Sequence, residues 1–393
     1  MPNWQLYIAL LVALIIGFWQ GKRYQKKRQA PPQNQHVNQY YVKGLNYLLN
    51  EEPDAAIDIF IESLDVNSET LETHLALGKM LRKKGEVDRA IRIHQNLLAR
   101  PGLSLDYSQQ VEYELAMDFT KAGLYDRAES LLEKLAQQES ALKERVLTSL
   151  LDIYREEKEW RQGLAILQQL AGSRFSKNYE TWAPIRAQFS CELAQEALDK
   201  ADEAIARQWI KQALAFDKVS ARANIMLGNL EVASGNPKKG IQLLRRVVER
   251  SPEFLSEVLE PLASAYRQLG TQDKYLAYLR SITSSEPQVL LDITIANCMA
   301  EIEADPKNAI QYLSEQVKQN PSLKLLNHII HHQPAVVDEE RGQDLSTLQG
   351  AFERVTNTIA EYQCQKCGFE VRTMHWLCPS CKCWESIKYK NNQ

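Results

Sequence analysis

A chain of 393 residues, 44% hydrophobic and 25% charged, has the composition of a folded protein rather than a disordered one. Its net charge of −3 argues against a general nucleic-acid binder, and its seven cysteines, five of them crowded between Cys364 and Cys383, do not read as a disulfide framework. The charge is unevenly placed: residues 1–36 hold Lys22, Arg23, Lys26, Lys27 and Arg28 and no acid, so an acidic body follows a basic neck.

The first predicted element is a membrane anchor, residues 1–21. Trp4–Trp19 carries no charge and as a helix spans about 24 Å. That is short against a hydrocarbon core of about 30 Å, but flanking residues and local thinning make a crossing feasible. Trp4 and Trp19 sit where interfacial anchors belong. A secretory signal peptide would carry its positive charge before the apolar run; here the basic cluster follows it. Basic flanks stay on the cytoplasmic side, so the expectation is a single-pass protein with its body facing the cytoplasm. Residues 22–36 form the basic neck and a polar, proline-containing linker.

Residues 37–359 read as an array of helical hairpins. The clearest unit is Glu72–Leu98: a first helix with Leu75, Leu77, Gly78 and Leu81, a break at Gly85, and a second helix with Ala90, Ile91, His94 and Leu97. This spacing fits the tetratricopeptide pattern, in which two small residues let the helices cross closely while larger ones fill the space beside them. Gly44 and Ala56 lie 34 residues before Gly78 and Ala90, with Tyr47 and Phe60 at the aromatic positions of that earlier copy. Further copies are marked by Ala116, Ala128 and Leu132, after an insertion around Gly102–Asp106; by Leu151, Tyr154, Gly163 and Leu167; by Ala194, Ala206 and Ile210; and by Gly228, Gly240 and Leu244. Weaker ones keep Ala263, Tyr266 and Leu279, then Ala309, Leu313 and Pro321, with Leu323–Ile359 expected as a capping helix pair. A single hairpin cannot bury its apolar face alone, so the copies must stack, and the stacked first helices offer a face for peptides or proteins.

No phosphate-binding loop or nucleophile motif with its required context occurs, and no catalytic constellation is expected. His328, His331 and His332 are read as a solvated helix face, because no carboxylate partner lies close by in sequence. Glu51–Glu52 and Glu156–Glu157 are read as solvated loop charges, and Cys191 and Cys298 as buried small apolar residues.

Residues 360–393 carry the sharpest chemical signal. Cys364 and Cys367, followed by Gly368, and Cys378 and Cys381 form two CxxC pairs separated by ten residues. Two such knuckles can hold one tetrahedral metal, and four thiolates match a closed, structural Zn²⁺. So small a module has little core, and the metal would supply most of its folding free energy, about 10 kcal/mol or more. Phe369, Trp376 and Trp384 are expected to pack around the site, and Cys383 to be a bystander. Iron at the same four cysteines is the chemical alternative, because CxxCG with CPxC resembles rubredoxin.

Together these parts resemble the lipopolysaccharide assembly protein B family. The likeness is carried by Gly85–Gln95 (GEVDRAIRIHQ), Ala122–Glu129 (AGLYDRAE), and the two cysteine pairs, and it covers essentially the whole chain. The resemblance implies an all-α tetratricopeptide fold with an amino-terminal transmembrane helix and a rubredoxin-like, zinc-ribbon end. Its four metal cysteines map onto Cys364, Cys367, Cys378 and Cys381. It implies regulation rather than catalysis: a protein of the bacterial inner membrane that promotes degradation of the lipid A pathway deacetylase by the membrane AAA+ protease FtsH, alongside other lipopolysaccharide assembly proteins. A general scaffold for envelope assembly enzymes and an iron electron carrier are the rival readings.

Overall fold

The structure is a computed structural model of the chain. It describes residues 71–172, 177–282, 289–303, 306–332 and 358–390, together with positions 15–20, 22, 43, 46–47, 55, 59, 350–352 and 354. The amino-terminal anchor and the earliest repeat copy lie mostly outside the described residues, as does most of the expected capping pair beyond His332. Among the described residues no helix is long and apolar enough to cross a membrane. The chain divides into two compact units, Met1–Ile153 and Tyr154–Gln393.

In the first unit the described elements are α1 (Leu71–Lys84), α2 (Val87–Leu98), α3 (Leu105–Lys121) and α4 (Tyr125–Ala136), followed by most of α5 (Lys143–Glu156), whose last turn belongs to the second unit. The α1–α2 hairpin is the predicted one. Gly85 sits at the break with φ +90°, a conformation that costs a side chain dearly. Gly78 is buried against the second helix, and a Cβ there would lie 2.4 Å from His94 Nε2. That close approach is why the motif needs a residue without a side chain, and His94 fills the aromatic position beside it. Leu71, Leu75, Leu81, Ala90, Ile93 and Leu97 close the core of this hairpin. Ser104 caps α3 through its side chain, so the insertion before it ends in a regular helix start.

The second unit continues the pattern with α6 (Trp160–Ala171), α7 (Lys177–Asp199), α8 (Glu203–Phe216), α9 (Ala221–Ala233), α10 (Pro237–Arg250), α11 (Leu255–Gln268), α12 (Gln272–Ile282), α13 (Val289–Glu303), α14 (Lys307–Gln319) and α15 (Leu323–His332). A single 3₁₀ turn, Pro252–Phe254, precedes α11. The predicted small positions again mark tight crossings. A Cβ on Gly163 would meet Phe189 Cε1 at 2.2 Å, and one on Gly240 would meet Val232 Cγ2 at 2.4 Å and the Gly228 carbonyl oxygen at 3.0 Å. Two turns use non-glycine residues in the left-handed region, Lys158 at φ 60° and Ala201 at φ 56°. Asp202 and Ser220 cap the helices that follow. Cys191 and Cys298 are buried as expected, and burial pushes their thiols up to about 12 and about 11.

The carboxyl-terminal module is a three-stranded antiparallel sheet in the order β2–β1–β3, from β1 (Tyr362–Cys364), β2 (Glu370–Val371) and β3 (Ile387–Tyr389). Tyr362 pairs with Val371 on one side and Tyr389 on the other. Its small core is Cys364, Cys378 and Ile387.

The candidate metal centre and its seat

The four predicted cysteines come together. Their Sγ atoms all lie within 4.8 Å of one another, and no other group of described His, Cys, Asp or Glu residues converges in this way. Cys364 and Cys381 Sγ are 3.6 Å apart, and Cys367 and Cys378 Sγ are 3.8 Å apart. A tetrahedron with metal–sulfur bonds near 2.3 Å has edges of about 3.8 Å, so the donor set fits one ion.

The two knuckles are built alike. In the first, the Cys364 N–H donates to the Phe369 carbonyl oxygen and the Gly368 N–H donates to the Cys364 carbonyl oxygen. In the second, the Cys378 N–H donates to the Cys383 carbonyl oxygen and the Lys382 N–H donates to the Cys378 carbonyl oxygen. Gly368 and Lys382 are therefore equivalent positions, and both are left-handed, at φ 77° and 57°. Cys383 is the counterpart of Phe369, the residue that receives the closing hydrogen bond. That position is consistent with its lying outside the group of four converging sulfurs.

Charge reinforces the geometry. Burial alone would raise the Cys364 thiol, but Ser386 and the backbone N–H groups of Cys367 and Lys366 outweigh it and bring it down to about 6. The Cys383 backbone favours a Cys381 thiolate, yet burial and the crowding of Cys367, Cys364 and Cys378 push that thiol up to about 12. One thiolate is thus prepared and a further one is opposed. Four together need a cation between them. Four sulfurs in a closed set leave no position for a reacting water, which is the arrangement of a structural site.

The aromatic residues tie the module to the array. Phe369 is 37% exposed. Trp376 and Trp384 pack onto the second unit's array. Trp384 meets Trp160 of α6 and Phe189 of α7 with ring centroids 6.3 and 6.0 Å away, and those two rings stack edge-on at 5.1 Å. Trp376 lies 5.0 Å from Phe254, and the Arg222 guanidinium sits over its ring at 5.7 Å. The reason is physical: a module of about 30 residues has no interior to hide an indole, and the array supplies one.

Polar contacts fix the seat. Gln188 Nε2 donates to Glu385 at 2.8 Å, and burial raises the Glu385 carboxyl. Tyr362 donates to Glu257 at 2.9 Å, and Lys324 reaches Tyr389 Oη at 2.9 Å and Glu361 at 3.0 Å. Lys388 lies over the Phe254 ring and 3.5 Å from Glu253. Glu156, read from sequence as a solvated loop charge, ends α5 and pairs with Lys382 at 2.8 Å. Sequence reasoning missed this seat, although α9 carried a sign of it. That helix buries Arg222 and Asn224 as well as its apolar residues, because it is covered on more than one side.

The histidine cluster also needs correcting. His331 is exposed and His328 and His332 are half-buried, and all three line a cavity of about 670 Å³ with Glu260, Arg267 and Asn297. His332 Nε2 lies 2.8 Å from Asn297 Oδ1. Burial, with His332 and His331 nearby, pushes His328 down to about 4. Among the described residues, the three rings belong to no group whose donor atoms converge as the four sulfurs do.

Comparison with known proteins agrees with both parts. A family described as rubredoxin metal binding domain matches residues 362–388, and a tetratricopeptide repeat family matches residues 73–103. Lipopolysaccharide assembly protein B of Escherichia coli K12 is 32% identical over 386 residues, covering 98% of this chain and 97% of its own. The protein of the same name from Haemophilus influenzae is 32% identical over 404 residues, covering 99% and 98%. Among solved structures, a tetratricopeptide repeat protein from Parabacteroides merdae superposes with a TM-score of 0.33 at 14% identity, over 72% of this chain and all of that one.

Proposed function

This chain belongs to the lipopolysaccharide assembly protein B family, and we propose that it acts there as a non-catalytic adaptor rather than an enzyme. In this reading a transmembrane anchor in residues 1–21 holds the body at the cytoplasmic face of the inner membrane, and residues 22–36 are its tether. Residues 37–359 hold a client protein, and residues 360–393 are a rigid end-piece. Cys364, Cys367, Cys378 and Cys381 bind one Zn²⁺ whose role is structural. The client is the lipid A pathway deacetylase, handed to the membrane protease FtsH, so that lipopolysaccharide output stays matched to phospholipid.

The observation that carries the reading is the seating of the metal module. Trp376, Trp384 and Lys388 are engaged with Phe254, Phe189 and Trp160 of the array, so the module serves the shape of the array. A pull-down of the full chain from membranes, read by mass spectrometry, tests the proposal. The adaptor should bring down the protease and the deacetylase together. A spread of envelope enzymes without the protease would favour a general scaffold instead.

A further inference from the structure

The second unit's array is occupied by the metal module; the first unit has a groove of its own. It is about 700 Å³ in volume and is lined by α1, α3 and α5. That volume lies within the range of sites that enclose small ligands or a few residues of extended chain.

The chemistry of this groove is one-sided. From α1 come Lys79, Arg82 and Lys83; from α3, Lys121; from α5, Arg145. The acids beside them are already committed. Glu114 binds Lys79 at 3.0 Å and Arg82 at 2.7 Å, and Asp118 binds Arg82 at 2.6 Å. Lys83, Lys121 and Arg145 are exposed and have no ion-pair partner among the described residues. A body that is acidic outside its first 36 residues thus gathers three uncompensated cations around one recess.

The recess also has a shaped floor. The Arg145 guanidinium lies over the Tyr113 ring at 4.7 Å, and Tyr113 Oη is tied to Ser149 Oγ at 3.1 Å. Stacking on a ring holds a guanidinium flat and leaves its N–H edge free for a carboxylate. Met117 is one turn along α3 from Tyr113 and Lys121 one turn further, so the three share a face. A half-buried thioether between them suits an apolar side chain of no fixed shape.

We propose that this groove docks an extended acidic segment of a protein partner, with carboxylates on Lys83, Lys121 and Arg145 and an apolar side chain over Met117. A peptide is favoured over an anionic membrane surface because the cations ring a recess with an aromatic and thioether floor, which a flat layer of headgroups would not fill. This deepens the adaptor reading and rests on it for the identity of the partner, but the groove's own binding can be measured apart from it.

The test uses the full chain in detergent and a fluorescein-labelled decapeptide alternating Glu with Leu, followed by anisotropy. The control peptide replaces every Glu with Gln. The Glu peptide should bind, weaken as salt rises, and exceed the Gln peptide by about tenfold or more. The combined variant Lys83→Glu, Lys121→Glu, Arg145→Glu should lose about tenfold or more while melting as the wild type does. Should it fail to fold, Gln at the same three positions should give a smaller loss in the same direction. Equal binding of both peptides, equal binding by the variant, or association with phosphatidylglycerol vesicles and not the peptide would overturn the proposal. If the variant loses the peptide yet turns over the deacetylase normally, the groove stands as a peptide site and the deacetylase is not its occupant. If turnover slows while peptide binding is intact, the groove is the wrong surface.

Discussion

Replacing Trp384 with alanine tests whether the metal module is seated on the array independently of its metal. The indole meets two aromatic neighbours, Trp160 at 6.3 Å and Phe189 at 6.0 Å. Each such pair contributes about 0.5–1.5 kcal/mol beyond area burial. Truncating a fully buried Trp costs about 3–5 kcal/mol. Trp384 is only half-buried, so Trp384→Ala should weaken seating by about 2–4 kcal/mol, roughly 30- to 1,000-fold in the docking equilibrium. None of the four sulfurs is touched, so the metal should stay. Hydrogen exchange read by mass spectrometry is the assay. Protection should fall in α7 and α9, around Phe189 and Arg222, while zinc content remains at one per chain. Phe369→Ala, at an exposed ring, should change stability by less than about 0.5 kcal/mol. If Trp384→Ala leaves exchange in α7 and α9 unaltered, or releases the metal outright, the seat described here is wrong.

At the metal centre, Cys364→Ser or Cys381→Ser should abolish zinc by elemental analysis and unfold the module, whereas Cys383→Ser should keep it, since Cys383 occupies the position of Phe369. Release of zinc by Cys383→Ser as complete as by Cys381→Ser would reassign the ligands. Gly78→Glu sets a Cβ 2.4 Å from His94 and a charge in a dry crossing, so it should cost about 3 kcal/mol or more. Chemical denaturation checks this, and a midpoint like that of wild type would contradict it. Burial alone would raise the Glu114 carboxyl, but Arg82 and Lys79 outweigh it and hold it below its ordinary 4.5. A folded value below the unfolded one gives stability that is present above about 4.5 and lost as pH falls through the folded value. The first unit should therefore soften in acid, and Glu114→Gln should flatten that dependence in melting curves taken across the window. A variant with the wild-type slope would argue against the ion-pair network.

The hairpin array was legible because its signals are local. Gly78 with Ala90, and Gly228 with Gly240, report helix crossings that only small residues permit, and they recur at a fixed spacing. The four sulfurs were legible for the same reason, since each knuckle is closed by its own backbone. What the sequence did not disclose is long-range. Nothing near Trp384 announces Phe189, and nothing near Glu156 announces Lys382, more than 200 residues away. The histidines misled for a related reason: neighbours in sequence suggested a wet face, but α11 and α13 wall in His328 and His332. Lys382 took a left-handed turn where glycine would have flagged it, so the likeness of the two knuckles emerged only from their hydrogen bonds.

The proposed adaptor role requires that this chain shorten the life of another protein. The direct measurement is the half-life of the lipid A deacetylase in a chase after translation is stopped, in cells with and without the chain. Deletion should lengthen the half-life while leaving synthesis unchanged. Removal of Trp4–Trp19 alone, or Cys364→Ser with Cys367→Ser, should do the same, because one ends proximity to the protease and the other dissolves the end-piece of the array. A half-life unchanged by clean deletion would contradict the adaptor account.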